Sequence, residues 1–439
     1  MISSAVGLLL GCGSSPAGTA AASGASGGLS GSGGQAGAGA AAGGAGFGTS
    51  GAAGGGAASG GSSAGTSSAG SGASGSAGAA AVGGAAGGSA GGASGASSGG
   101  VSGASGAAGQ GGAAPVLEPG LRWLGRVEPT PTGARFSWPG TGFTARFNGT
   151  SAKVSIKSGQ TDYFQLVVDG QVTLLTTQSG THDYDLAQNL AAGDHSVTLW
   201  RRTEPLNGSA EITKVDFLGG TLLSPPAPFA KRLEIVGDSI SVGYGVECKT
   251  IGEQFSYATE NNYQTFEAIA ARELSAELMT LAWSGIGMWR DVGGGTDSEM
   301  PTLYLRTLGN EASGVWDFKS YTPGAVLVNL GTNDFAKGDP GQPFVDAYVT
   351  FVSGVRGRYP AARLFLAVSP MLGGDNRTKI KAYLDQVKTT RAGQGDQNIA
   401  IIEFAQPAQD AWGCGHPNGA THAIMAGVLK QALTQDLGW

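Results

Sequence analysis

Leu233-Glu234-Ile235-Val236-Gly237-Asp238-Ser239-Ile240 is an apolar run closed by a tight polar turn. Branched apolar residues favour an extended strand, and Gly-Asp-Ser ends it sharply. A serine at such a strand-to-helix turn presents its hydroxyl at the top of a sheet, and its own N–H can face an oxyanion. Taken alone, Asp238 or Ser239 is equally a helix N-cap. The chain beyond this turn decides the fold. Apolar runs recur at 278–282, 325–330, 364–368 and 399–404, and helical patterns at 263–274, 344–358, 379–391 and 421–437. Alternating strands and helices with continuously apolar strands predict a doubly wound parallel sheet covered on both faces. The active site of such a sheet lies beyond the carboxyl ends of its strands.

Upstream the texture changes. Segments 134–138, 144–147, 152–156, 164–168, 196–200 and 211–217 alternate apolar and polar residues, with no helical period between them. Asp169-Gly170 closes one of them with a hairpin signal. They predict an all-β sandwich of jelly-roll type at 116–224, and Ser224-Pro-Pro-Ala-Pro228 separates it from an α/β domain at 229–439.

Most of the 80 glycines fall earlier still. From Gly13 to Ala114 the chain is almost wholly Gly, Ala and Ser and holds no Lys, Arg, Asp or Glu. Such a tract buries too little apolar surface to offset the entropy of ordering it. We read 13–115 as a disordered linker, with an r.m.s. reach of roughly 50–60 Å for a flexible coil of its length. Residues 1–12 end in Leu9-Leu10-Gly11-Cys12, a pattern that resembles a bacterial lipobox, although no basic residue precedes it. The expectation is an exported lipoprotein, acylated on Cys12 and held at the cell surface or outer membrane by that anchor alone. A non-lipidated secretion signal is the other reading. The net charge of −6 and the lack of Lys/Arg clusters argue against nucleic acid as a partner. The folded part holds no run of 18 apolar residues, the minimum for a spanning helix.

A nucleophilic Ser239 needs a base, and the chain has four histidines. His182 and His195 belong to the β-rich part, and His422 opens the last helical pattern. His416 lies in a Gly/Pro loop at the expected end of the sheet and is the candidate base. Asn333, in Gly331-Thr332-Asn333-Asp334 after the 325–330 strand, has an amide suited to developing negative charge; a turn-forming Asn is its plain alternative. In Trp283-Ser284-Gly285-Ile286-Gly287-Met288, glycines let a backbone N–H approach a ligand closely.

Gly-Asp-Ser-Ile, a glycine turn, Gly-Thr-Asn-Asp and His416-Pro417, in that order, resemble the four blocks of the SGNH (GDSL-type) hydrolases. The resemblance implies Ser239 as nucleophile and His416 as general base. It implies an oxyanion hole of the Ser239 amide, the Gly287 amide (Gly285 is the alternative) and the Asn333 side chain. Carbohydrate esterase family 2, a jelly roll joined to an SGNH domain, is similar over nearly all of the folded part. The stretches that carry this are Phe136–Gly140, Asn148–Ser151, His195–Glu204, Phe255–Asn261, Ala282–Met288 and His416–His422. The resemblance implies removal of O-acetyl groups from plant polysaccharides, as in acetyl xylan or glucomannan esterases, with no metal and no cofactor. An SGNH enzyme acting on another ester (a lipase, thioesterase or cell-wall deacetylase) and an inactive carbohydrate-binding lipoprotein are the alternatives.

One departure stands out. SGNH enzymes usually carry an Asp two or three residues before the catalytic His, where this chain has Cys414 and Gly413. The expectation is a Ser–His dyad whose imidazole is oriented by a backbone carbonyl, with Asp410 as substitute acid the alternative. Cys414 is expected to pair with Cys248, pinning the loops of nucleophile and base, rather than to act as a third catalytic member. Trp283, Trp289, Tyr304, Trp316 and Trp412 fall in loop-like sequence, where sugars stack and where aromatic anchors also sit. Trp412 and Trp289 are the candidates for substrate contact. With an ordinary imidazole near pH 6.5, activity is expected to rise through that value.

Overall fold

The computed structural model describes residues 117–312 and 314–439. Cys12 and the Gly/Ala/Ser linker lie outside the described residues. Eleven strands build the first part of what is described. They are β1 (Arg122–Leu124), β2 (Glu128–Pro129), β3 (Ala134–Phe136), β4 (Gly142–Gly149), β5 (Ala152–Ser158) and β6 (Asp162–Val168). β7 (Gln171–Thr177), β8 (Gly180–Ala187), β9 (Gly193–Arg201), β10 (Ala210–Asp216) and β11 (Thr221–Leu222) complete the set. They form two antiparallel sheets, β1-β4-β9-β6-β7 with β11 beside β4, and β2-β3-β10-β5-β8. Phe143, Ala145 and Phe147 of β4 face Val154 and Ile156 of β5 in one core between the sheets. The Asp169-Gly170 turn joins β6 to β7, with Val168 opposite Gln171 and φ of +47° and +82°, as a type I′ turn requires. The sequence pattern does not mark β7, an edge strand whose first four residues are exposed and so show no apolar alternation.

The second part is an α/β unit. Its strands are β12 (Lys231–Gly237), β13 (Ala276–Ala282), β14 (Ala325–Asn329), β15 (Arg363–Val368) and β16 (Ile399–Glu403). All pair in parallel in the order β13-β12-β14-β15-β16. Helices α1 (Ser239–Val242), α2 (Phe266–Glu273), α3 (Met300–Leu303), α4 (Gln342–Arg358), α5 (Gly374–Gly393) and α6 (Gly419–Leu437) lie between or after them. Alternation divides the strands between two cores. Leu233, Ile235 and Leu327 pack with Phe266 of α2 and Leu429 of α6. Val236, Val326 and Val328 pack with Tyr348 of α4 and Leu384 of α5. The chain runs from β12 to β13 on one side and then crosses to β14 on the other, so a crevice opens beyond the ends of β12 and β14.

The two parts share buried surface. Trp138, from the β-sandwich, is fully buried within the α/β core. Truncating a buried ring of that size costs about 3–5 kcal/mol. Ser137 Oγ also accepts from Gly309 N at 2.7 Å. No helix among the described residues is long and apolar enough to cross a membrane.

Candidate active site

β12 ends at Gly237, and Asp238 caps the short helix α1 by accepting from Ile240 N at 3.0 Å. The cap and the nucleophile readings thus belong to neighbours. Asp238 holds the turn, while the Ser239 hydroxyl lies 2.9 Å from His416 Nε2. Burial pushes the Asp238 carboxyl up to about 7.

His416 stands on a two-residue hairpin. β17 (Trp412–Gly413) pairs antiparallel with β18 (His416–Pro417), and Cys414 and Gly415 turn between them with φ of +52° and +75°. That left-handed pair costs a non-glycine residue free energy, and the surroundings hold it. Cys414 is joined by a disulfide to Cys248, and its amide donates to Thr250 O at 2.8 Å. The Tyr244 ring packs on the imidazole with centroids 4.3 Å apart, and Phe255 stacks on Tyr244 at 3.7 Å.

The other nitrogen of the imidazole faces the Cys414 backbone, short of a well-formed hydrogen bond. His416 Nδ1 has no hydrogen-bond partner among the described residues. The Asp410 carboxylate makes no bond to it, and only the Asp410 carbonyl is engaged, accepting from Asn418 Nδ2 at 3.4 Å. Burial pushes the His416 pKa down to about 4, outweighing the Cys414 backbone, which acts in the raising direction. This corrects the expectation of titration near pH 6.5, because a desolvated imidazole loses more by being charged than a surface one. An imidazole held so low is neutral across the physiological range, the form that can accept a proton from the Ser239 hydroxyl. His422 is fully buried, accepts from Phe266 N at 3.1 Å through Nδ1, and serves packing.

The loop after β13 is suspended from both ends. Ser284 N donates to Glu204 Oε2 at 2.7 Å. At the far end Met288, Trp289 and Arg290 donate their amides to Asp334 at 2.9, 2.8 and 3.0 Å. Asn333 Nδ2 donates one hydrogen to Ile286 O at 2.8 Å, leaving its second. The Gly285 and Gly287 amides donate to no protein group among the described residues. The reason for Gly287 differs from the one expected. A Cβ there would stand 2.0 Å from Arg290 O and 2.5 Å from Asp334 Oδ2, so glycine allows the loop to close on Asp334.

The aromatic candidates separate. Trp412 is half-buried opposite Pro417, on the same two-residue hairpin as His416. Trp289 packs on the α/β core and lines a groove of about 550 Å³ with Glu299, Tyr304 and Arg358, a lining that includes neither Ser239 nor His416. Tyr304 is buried and donates to Glu234 at 2.6 Å, and Trp316 lies against the Arg126 guanidinium. Both pack as anchors, one of the two readings open to aromatics in irregular sequence. Tyr244, Glu204, Glu260 and Asp334 carry no assigned role in the sequence reading. All lie within or beside the quoted motifs, but only the fold shows what they touch.

A parallel sheet with serine and histidine meeting at its switch point defines an SGNH-type hydrolase architecture. Residues 123–226 match the carbohydrate esterase 2 N-terminal family, and 235–424 the GDSL-like lipase/acylhydrolase family. The chain is 38% identical over 329 residues to the cellulase/esterase CelE of Acetivibrio thermocellus, covering 73% of this chain and 40% of that protein. It is 23% identical over 328 residues to an acetylxylan esterase / glucomannan deacetylase of Cellvibrio japonicus, 73% of this chain and 90% of the relative. Among solved structures, a family two carbohydrate esterase from Clostridium thermocellum in complex with cellohexaose shares 36% identity and a TM-score of 0.70, covering 73% of this chain and all of that one. The chain belongs to carbohydrate esterase family 2, a family of carboxylic-ester hydrolases.

Proposed function

We propose that the protein is a serine esterase that removes O-acetyl groups from plant polysaccharides, with Ser239 as nucleophile and His416 as base. The observation that carries this reading is the 2.9 Å contact between Ser239 Oγ and His416 Nε2. His416 takes the hydroxyl proton and Ser239 Oγ attacks the acetyl carbonyl. The oxyanion is received by the Ser239 amide, the Gly287 or Gly285 amide and the free hydrogen of Asn333 Nδ2. His416 returns the proton to the leaving sugar oxygen, and water then hydrolyses the acetyl-enzyme. Trp412, on the same hairpin as His416, is the platform for a sugar ring. The names of the Cellvibrio relatives support xylan and glucomannan as substrates.

The test is acetate release from acetylated xylan and glucomannan by the wild type and by Ser239→Ala. Release abolished by the substitution supports the reading, and release that survives it removes Ser239 as nucleophile. Export with a lipid anchor on Cys12 is part of the proposal, supported by the Leu9–Cys12 pattern and by a disulfide, which persists in oxidising compartments. Labelled palmitate should enter the protein, and Cys12→Ser should prevent it.

A further inference from the structure

The α/β domain does not hold its oxyanion loop alone. Trp283–Met288 hangs between two buried carboxyls, and only Asp334 belongs to the α/β domain. Glu204 comes from the β-sandwich, just after β9. We propose that Glu204 is a positioning residue contributed by the jelly roll to the esterase site, holding the oxyanion loop through the Ser284 amide with Glu260 as its carboxyl partner. This rests on the reading of Ser239 and His416 as the reacting pair.

Three observations carry it. First, the contacts are direct. Glu204 Oε2 accepts from Ser284 N at 2.7 Å, and Glu204 N donates to Glu260 Oε1 at 2.8 Å. Ser284 lies one and three residues before the two candidate oxyanion glycines. Second, neither carboxyl is there for an ion pair. Arg201 spends its guanidinium on Asp162, Ser137 O and Gly208 O, and Arg202 gives Nη2 to Glu247 and Nε to the Glu260 carbonyl. Glu204 and Glu260 are 1% and 0% exposed, and burying acids without a salt-bridge partner is costly unless hydrogen bonds recover it. Third, Glu260 Oε2 is buried with no hydrogen-bond partner among the described residues, where a negative charge would go uncompensated and a bound proton removes it.

Charge then couples to position. Burial raises both carboxyls and the charge of Glu204 raises Glu260 further, while Arg201 opposes both. The ionisable groups around the pair are Arg201 and Asp162 of the sandwich and Tyr244 and Tyr257 of the loop after Ser239. A raised carboxyl favours the folded site at low pH and loses that advantage as pH climbs through its folded value. Double ionisation sets two like charges side by side, pushes Glu204 off Ser284 and loosens the loop.

The experiment measures kcat and KM on 4-nitrophenyl acetate from pH 5 to 9, with circular dichroism of each variant and Ser239→Ala as control. Glu204→Ala is expected to lower kcat about 10–100-fold with little change in KM, less than the 10²–10³ of losing a whole oxyanion donor. Glu204→Gln keeps an oxygen for Ser284 N and is expected to recover most of that loss. Glu260→Gln is expected to abolish the alkaline decline of the wild type. Folded Glu204→Ala with the wild-type kcat overturns the proposal, as does Glu204→Gln as impaired as Glu204→Ala, or the same alkaline decline in Glu260→Gln. If Glu204→Ala does not fold, the other two variants decide. Activity surviving in Ser239→Ala would instead overturn the underlying site reading.

Discussion

The turn that carries Ser239 and the hairpin that carries His416 meet at 2.9 Å, yet they are built in opposite ways. The Ser239 turn leaves a central strand paired on both sides and is capped by its own neighbour Asp238. Its geometry comes from residues within a few positions. The His416 hairpin is two residues on each side, turns through a left-handed Cys414, and leaves Nδ1 without a partner among the described residues. What holds it comes from far away in the chain: the disulfide to Cys248, 166 residues distant, and the Tyr244–Phe255 stack against the imidazole. Ser239, the proposed nucleophile, is placed by the sheet, whereas His416, the proposed base, is placed by the loop just beyond Ser239.

The largest effect tests whether the two regions act as one. Ser239→Ala and His416→Ala should each lower kcat about 10⁴-fold or more, and the double variant should add nothing to either. Independent, additive losses in acetate release would break the pairing.

Next is the cross-link. Cys248→Ser with Cys414→Ser should lower the unfolding free energy by about 2–4 kcal/mol in urea melts, as expected for a long closed loop. Unchanged stability would mean that the hairpin holds itself.

Tyr244→Ala should lower kcat about tenfold, because a loosely held base spends less time aligned. Tyr244→Phe should keep the rate, since the ring and not the hydroxyl touches His416. Equal losses in both would point to the hydroxyl instead.

The pH profile sharpens the contrast further. With the His416 pKa pushed down to about 4 by burial, the acid limb of kcat/KM should lie near that value, with no further rise through pH 6.5. The buried neutral imidazole also makes folding stability fall as pH drops from the ordinary imidazole value through about 4. A rise centred near pH 6.5 would show a solvated ring. Smallest of all, Asp410→Ala should change kcat by less than about twofold, against about 10⁴ for a true triad acid.

Much of the fold and site was legible in the chain itself. The five parallel strands stand out as branched apolar runs, and the motifs at Ser239, Asn333 and His416 fall where such a sheet places its crevice. The edge strand β7 does not stand out, because an exposed edge needs no apolar period. Tyr304 and Trp316 stay undecided in sequence, since a Trp or Tyr in irregular sequence looks the same whether it faces a sugar or a buried Arg126.

By itself, then, the sequence determined the order of most elements, the side chains proposed to react and the family they resemble, because periodicity and turn chemistry are local properties. Only the tertiary structure decided what surrounds those side chains. Burial lowered His416 below its solution value, Asp410 stayed apart from it, and Glu204 crossed from one domain to hold the other's loop. Desolvation and hydrogen bonds between residues tens to hundreds of positions apart depend on packing, and packing is written in no single stretch of chain.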